Sequence, residues 1–181
     1  EALGEALFFD VNLSRDRTQA CATCHNPDFA FTDPRETAAG RAVSLGDDGQ
    51  SLGDRNAPTA SYAALTPEFH RSPAGLWIGG QFWDGRAADL ATQAGGPPLN
   101  PVEMAMPDKA SVVARLAENP DYVAAFGYLY GEGVLEDAEA GYAAMSESLA
   151  AFERTDLFAP FDSKYDRYLR GEYQLTPEEE L

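Results

Sequence analysis

Apolar residues return at helical spacing in several separate stretches, and long segments with no period lie between them. Leu3, Leu7 and Phe8 mark a short helix over residues 2–9, expected to pack beside the segment around residue 21. Residues 87–94 read as a second helix, ended by Gly95-Gly96-Pro97-Pro98. Asp108 is placed to cap a helix running to about Glu118, closed by Asn119-Pro120. The pattern resumes over 121–130, with Tyr122, Val123 and Phe126 expected on one face. The longest helix is expected from about Glu136 to Arg154, where Ala138, Tyr142, Met145, Leu149 and Phe152 form one apolar stripe, read as core. A last short helix spans 163–170. No alternating pattern marks a strand, so the chain reads as mostly α.

The segments without period carry turn formers instead. Residues 26–50 include Asn26-Pro27, Asp33-Pro34 and Gly46-Asp47-Asp48-Gly49, and residues 66–80 form a second loop with His70 and Trp77. Loops this long in a compact domain are usually functional or wrapped round a ligand. At the far end, Thr176-Pro177-Glu178-Glu179 carries a cap, a proline at the first helical position and acids in the first turn. It reads as the start of a helix leading into a missing second domain. The expected organisation is therefore one domain over 1–175, with 176–181 opening the next helix.

Composition narrows the partners. Hydrophobic residues make up 44% of 181, enough for a core, and no apolar run is long enough to span a membrane. Thirteen basic against thirty acidic residues give a charge of -17, which disfavours nucleic acid and favours a basic protein partner. The chain opens at Glu1, as a processed N-terminus would.

Both cysteines and one of the two histidines fall in Cys21-Ala22-Thr23-Cys24-His25. C-x-x-C-H is the attachment pattern of a c-type haem: two thiols add to the vinyl groups, and the next histidine becomes an axial iron ligand. A zinc site would want a second ligand pair. A thioredoxin-type motif would follow a buried strand, and a disulfide here would close almost no loop. One covalent haem c is thus expected, held by Cys21, Cys24 and His25, and export before attachment implies a periplasmic location.

With these residues in hand, the sequence resembles the N-terminal half of the bacterial dihaem cytochrome c peroxidases, the family that includes MauG-type enzymes. The matching pieces are Leu3 to Asp10, Cys21 to His25, Arg55-Asn56-Ala57-Pro58-Thr59, Phe82-Trp83-Asp84-Gly85-Arg86, Gln93, Asn100 to Met104, and Ala151 to Thr155. The resemblance implies an all-α, cytochrome c-like haem domain with long haem-wrapping loops, carrying the peroxide-reacting haem of a pair. It implies that His25 is the proximal ligand and that Glu103 and Gln93 lie on the distal side, the carboxylate moving a proton between the peroxide oxygens. Read locally, Glu103 is a solvated loop acid and Gln93 an exposed helix residue. It further implies that Trp83 relays electrons between haems, though core packing would satisfy it equally, and that Asn56 binds a structural calcium shared with the second domain. Asp84 and Arg86 are read as ion-pairing loop residues.

Many members close the distal side with a histidine from the loop after C-x-x-C-H. Arg41 stands there in this sequence, and a guanidinium does not ligate iron. The distal side is therefore expected to stay open, with His70 as a surface histidine and Met104 and Met106 as packing residues. His70 is the alternative sixth ligand of the open haem, and the competing reading makes Met104 or Met106 the sixth ligand of a single-haem electron-transfer cytochrome c. The reading adopted is reduction of hydrogen peroxide to water with electrons from a small periplasmic donor, a cytochrome c or cupredoxin, with a MauG-type protein-oxidising maturase as a further alternative.

Overall fold

The computed structural model describes residues 1–180. Helix α1 (Ala2–Phe8) is followed by the one-turn helix α2 (Cys21–Cys24). Then come α3 (Leu90–Ala94), α4 (Lys109–Ala117), α5 (Pro120–Tyr130), α6 (Ala138–Glu153) and α7 (Lys164–Leu169). The expected all-α, cytochrome c-like class is what the structure has.

Helix α6 is the axis of the molecule and touches α1, α3, α4 and α5. Its stripe of Tyr142, Met145, Leu149 and Phe152 is buried, and Gly141, Ser146, Ser148 and Glu153 are buried too, so the helix is covered on more than one face. At the crossing with α1 a Cβ on Gly4 would stand 1.9 Å from the Ser148 carbonyl oxygen, so only glycine lets the two helices approach this closely. Beside that crossing Phe8, Phe31, Phe152 and Phe158 form an aromatic cluster, with Phe31 stacked on Phe158 at 4.1 Å between ring centroids.

Side-chain caps set the helix starts. Asp108 accepts from the Ser111 amide at 2.7 Å, and Asp137 accepts from the Glu139 and Ala140 amides at 2.9 Å. The helix expected from Ala87 begins instead at Leu90, after the Asp89 cap. The carbonyls of Ala87 and Ala88 already accept from Gln81 and Phe69, so they are lost to a helix. Val123 is 48% exposed, off the face that buries Tyr122 and Phe126. At the end of the described chain the Glu179 and Glu180 amides both donate to the Thr176 carbonyl, one helical turn.

One small sheet departs from the expectation of no strands. Strands β1 (His70–Arg71) and β2 (Trp77–Ile78) pair antiparallel, His70 opposite Ile78 and Arg71 opposite Trp77. Phe69 stacked on Trp77 at 5.0 Å holds the hairpin. Residues 26–60 contain only one short 3₁₀ turn (Pro27–Phe29) and isolated bridges, and together with 80–105 they wall a cleft above α6.

Candidate haem site

The cleft has a volume of about 450 Å³, within the range of small-molecule and cofactor pockets. Cys21, Cys24 and His25 line it, as do Trp83, Gln93 and Glu103 and the apolar side chains of Phe8, Leu90, Met104 and Leu149. Residues separated by some eighty positions in the chain are thereby gathered round one space.

The attachment segment is held firmly. Thr23 Oγ1 accepts from the Ala20 amide at 2.9 Å, and the His25 amide donates to the Cys21 carbonyl at 2.9 Å. Both cysteines are free thiols, and burial pushes Cys21 up to about 12 and Cys24 up to about 11, so both are protonated at neutral pH. After His25 the chain turns sharply through Ala30 and Phe31, both in the left-handed region. That turn brings the Phe31 carbonyl to 3.1 Å from His25 Nδ1. A ring whose Nδ1–H is given to a carbonyl keeps the Nε2 lone pair for a metal. Burial also lowers the His25 pKa, which keeps the ring neutral. Two free thiols, a neutral oriented imidazole and apolar walls are the donor set a c-type haem needs, so the residues present fit that group.

Glu103 stands in the turn after Asn100-Pro101. Asn100 Nδ2 donates to Glu103 Oε1 at 2.9 Å, and its Oδ1 accepts from the Val102 amide. The backbone here is clamped from two sides: the Asp47 amide donates to the Glu103 carbonyl at 2.8 Å and the Arg15 amide to the Met104 carbonyl at 2.9 Å. Asp47 is itself buried and bound by Asp16 and Thr18. Burial raises the Glu103 pKa, against the pull of Arg86 and of the Asn100 hydrogen bond. Glu103 is thus a partly desolvated acid on the cleft, not the solvated loop acid of the local reading. Gln93, on α3, lines the same space and is half-buried.

Trp83 is 63% exposed at the cleft's rim, where its Nε1 donates to the Asn56 carbonyl at 2.8 Å. Core packing is therefore not its role. Asn56 is exposed and gives its amide Nδ2 to the Arg41 carbonyl at 3.2 Å. Among the described residues no group of three or more His, Cys, Asp or Glu comes together, so these residues alone do not make the many-oxygen shell that calcium takes. Asp84 accepts from Arg55 at 2.8 Å and from Arg86 at 2.9 Å, the expected ion pairing. Arg86 also lies 3.6 Å over the Phe82 ring and lines the cleft.

Of the side chains considered as sixth ligands, His70 is exposed on β1, with Nδ1 at 2.7 Å from the Glu68 carbonyl, and is not part of the cleft wall. Met106 is core, and Met104 is core with one side on the cleft. Arg41 is exposed and away from the cleft wall. The sequence reading missed Asn100, which orients Glu103, and Glu153, a buried cleft residue whose pKa burial pushes up to about 7. Glu153 falls four residues after Leu149, on the apolar stripe itself, and a carboxylate at that spacing was the signal.

Among known proteins, the chain is 63% identical over 180 residues to the methylamine utilization protein MauG of Paracoccus denitrificans, covering 99% of this chain and 46% of that one. It is 37% identical over 171 residues to the cytochrome c peroxidase Ccp of Escherichia coli, covering 94% of this chain and 31% of that one. The crystal structure of the diheme peroxidase BthA from Burkholderia thailandensis superposes with a TM-score of 0.91 at 36% identity, covering 98% of this chain and 43% of that one. The chain thus spans less than half the length of each of these proteins. The sequence pattern of the di-haem cytochrome c peroxidases matches residues 1–174, and the chain belongs to that family.

Proposed function

We propose that this chain is the peroxide-reacting haem domain of a two-haem enzyme, with Glu103 as the group that moves the proton. The observation that carries the reading is the partly buried Glu103 carboxyl, held by Asn100 on the same cleft as Cys21, Cys24 and His25. Cys21 and Cys24 would hold the haem covalently and His25 would ligate its iron, which would supply the redox chemistry of peroxide reduction. Glu103 accepts a proton from one peroxide oxygen and delivers it to the other, so that the leaving oxygen departs as water. Gln93 orients the peroxide by hydrogen bonding. Hydrogen peroxide takes up two electrons and two protons in all and yields two waters.

The electrons come from a small periplasmic protein, a cytochrome c or cupredoxin, by way of a second haem domain and Trp83. The exposed Trp83 ring at the rim supports that path. Calcium at Asn56 would draw its other ligands from the second domain. A second reading, a MauG-type maturase that oxidises a protein substrate, is favoured by the 63% identity to MauG and by Arg41 at the loop position. Steady-state peroxide consumption by the haem-loaded full-length protein, with a reduced donor protein present, separates the two. Donor-dependent turnover supports the peroxidase. Peroxide use only with an oxidisable protein substrate supports the maturase. No peroxide use in any condition contradicts both.

A further inference from the structure

The turn Gly46-Asp47-Asp48-Gly49 lies between the segment that leads to Cys21 and the turn that carries Glu103, and it is tied to both. On one side the Asp47 carboxylate accepts from the Asp16 amide and from the Thr18 hydroxyl, each at 2.6 Å. Gln19, also buried, donates its side-chain amide to the Leu45 carbonyl. On the other side the Asp47 amide donates to the Glu103 carbonyl at 2.8 Å. Gly46 lies close on the same backbone, where a Cβ would stand 2.9 Å from the Val102 carbonyl oxygen. Asp47 is 4% exposed and is not part of the cleft wall. Burial alone would push its pKa up, and hydrogen bonds from Ser14, Thr18 and the Asp16 amide hold it below the usual carboxylate range. An ionised carboxylate only accepts, so it can meet all of these donors, whereas an amide in its place would turn an NH₂ toward one of them.

We infer that Asp47 is a positioning residue for Glu103: it fixes the haem-attachment segment and the turn 100–104 relative to each other, and so the place of the Glu103 carboxyl on the cleft. The inference rests on the peroxide reading above for the reaction that it serves. Asn100 orients the side chain of Glu103, and Asp47 holds its backbone. Thr18 stands three residues before Cys21, so the path from the attachment cysteine to the Glu103 carbonyl is short and built of buried hydrogen bonds. The Arg15 amide on the Met104 carbonyl, at 2.9 Å, is a second tie from the same segment. Loss of the Asp47 carboxylate should therefore shift the turn without detaching it. A shift of about 1 Å at a reacting group costs up to about a hundredfold in rate.

The test is a double-mutant cycle on the haem-loaded full-length protein, with Asp47→Ala, Glu103→Gln and the pair. Two rates are read by rapid mixing: a single turnover of hydrogen peroxide, and the association of cyanide with the ferric haem. Hydrogen cyanide gives up its proton as it binds ferric iron, so a base that serves peroxide serves it too. Asp47→Ala is expected to slow both rates about tenfold in the parent. In the Glu103→Gln background it should slow them less than about twofold, because the displaced group no longer acts there. A residue that only supports the fold would slow both backgrounds alike. Equal slowing in the two backgrounds would overturn the positioning role, and so would parent rates in an Asp47→Ala protein of normal haem content. If Asp47→Ala does not load haem, Thr18→Val takes its place in the cycle, since it removes one donor to the same carboxylate. Its expected slowing is about threefold in the parent alone, and the same two outcomes overturn the role. A protein that shows the cyanide coupling but never consumes peroxide would sink the peroxide reading and leave the positioning role standing.

Discussion

The Glu103 carboxyl receives one hydrogen bond, from Asn100, in surroundings that otherwise disfavour its charge. Removing that bond removes a contact made to the ionised form, so Asn100→Ala raises the carboxyl's pKa further. A base must be ionised to act, and the acid limb of the peroxide reaction should move about one pH unit toward alkaline. A pH–rate profile checks this, and an unmoved limb would show that Glu103 is not the titrating base. Glu153 makes the opposite kind of prediction, about stability. Its folded pKa, about 7, lies above the ordinary 4.5, so the folded state holds a proton that the unfolded state gives up. Stability is fully present below pH 4.5 and falls as pH rises to 7, by about 3 kcal/mol in total. Denaturant melts of the haem-loaded protein should show that slope, and Glu153→Gln should flatten it. Neither Asn100 nor Glu103 stands out by period or composition. Their pairing depends on a turn that folds three residues back on themselves, and the resemblance alone singled out Glu103.

Helices were legible where caps and periodicity agreed, as at Asp108 and over α6. They were less so at α3, whose first expected turn is spent on hydrogen bonds to distant segments. The hairpin of β1 and β2 was not legible, because two residues per strand show no alternation and a stacked Phe69–Trp77 pair holds it. The α1–α6 crossing was legible as two apolar faces but not as a close approach. Gly4→Ala tests the approach: its methyl collides with the Ser148 carbonyl, a backbone atom that cannot turn aside. The expected loss is about 3 kcal/mol, read from a denaturant melt, with α1 and α6 forced apart. A change under half a kcal/mol would mean that the crossing is looser than described.

At the largest scale the described residues form a helical frame with one cleft walled by loops, which suits the haem of this family. Two features at this scale came from the sequence with little structural help: the attachment motif and the charge of -17. The gathering of loops 26–60 and 80–105 round the cleft had no local signal, since those segments lack any period. The charge bears on the donor. On the peroxidase reading proposed above, a basic donor protein that docks on this acidic domain does so by attraction, so kcat/KM should fall steeply as salt rises from low to physiological strength. A flat dependence would point to docking on the apolar hairpin instead, where Leu76 and Trp77 are each 65% exposed.

The role of Glu103 is tested most directly by the rate of a single turnover of hydrogen peroxide in the haem-loaded full-length protein, compared with its Glu103→Gln variant. Proton transfer by a positioned side chain contributes about a hundredfold to ten-thousandfold. The variant should therefore be at least about a hundredfold slower, with the same haem content and the same resting spectrum. A Glu103→Gln protein that matches the parent's rate would contradict the claim that this carboxyl handles the proton.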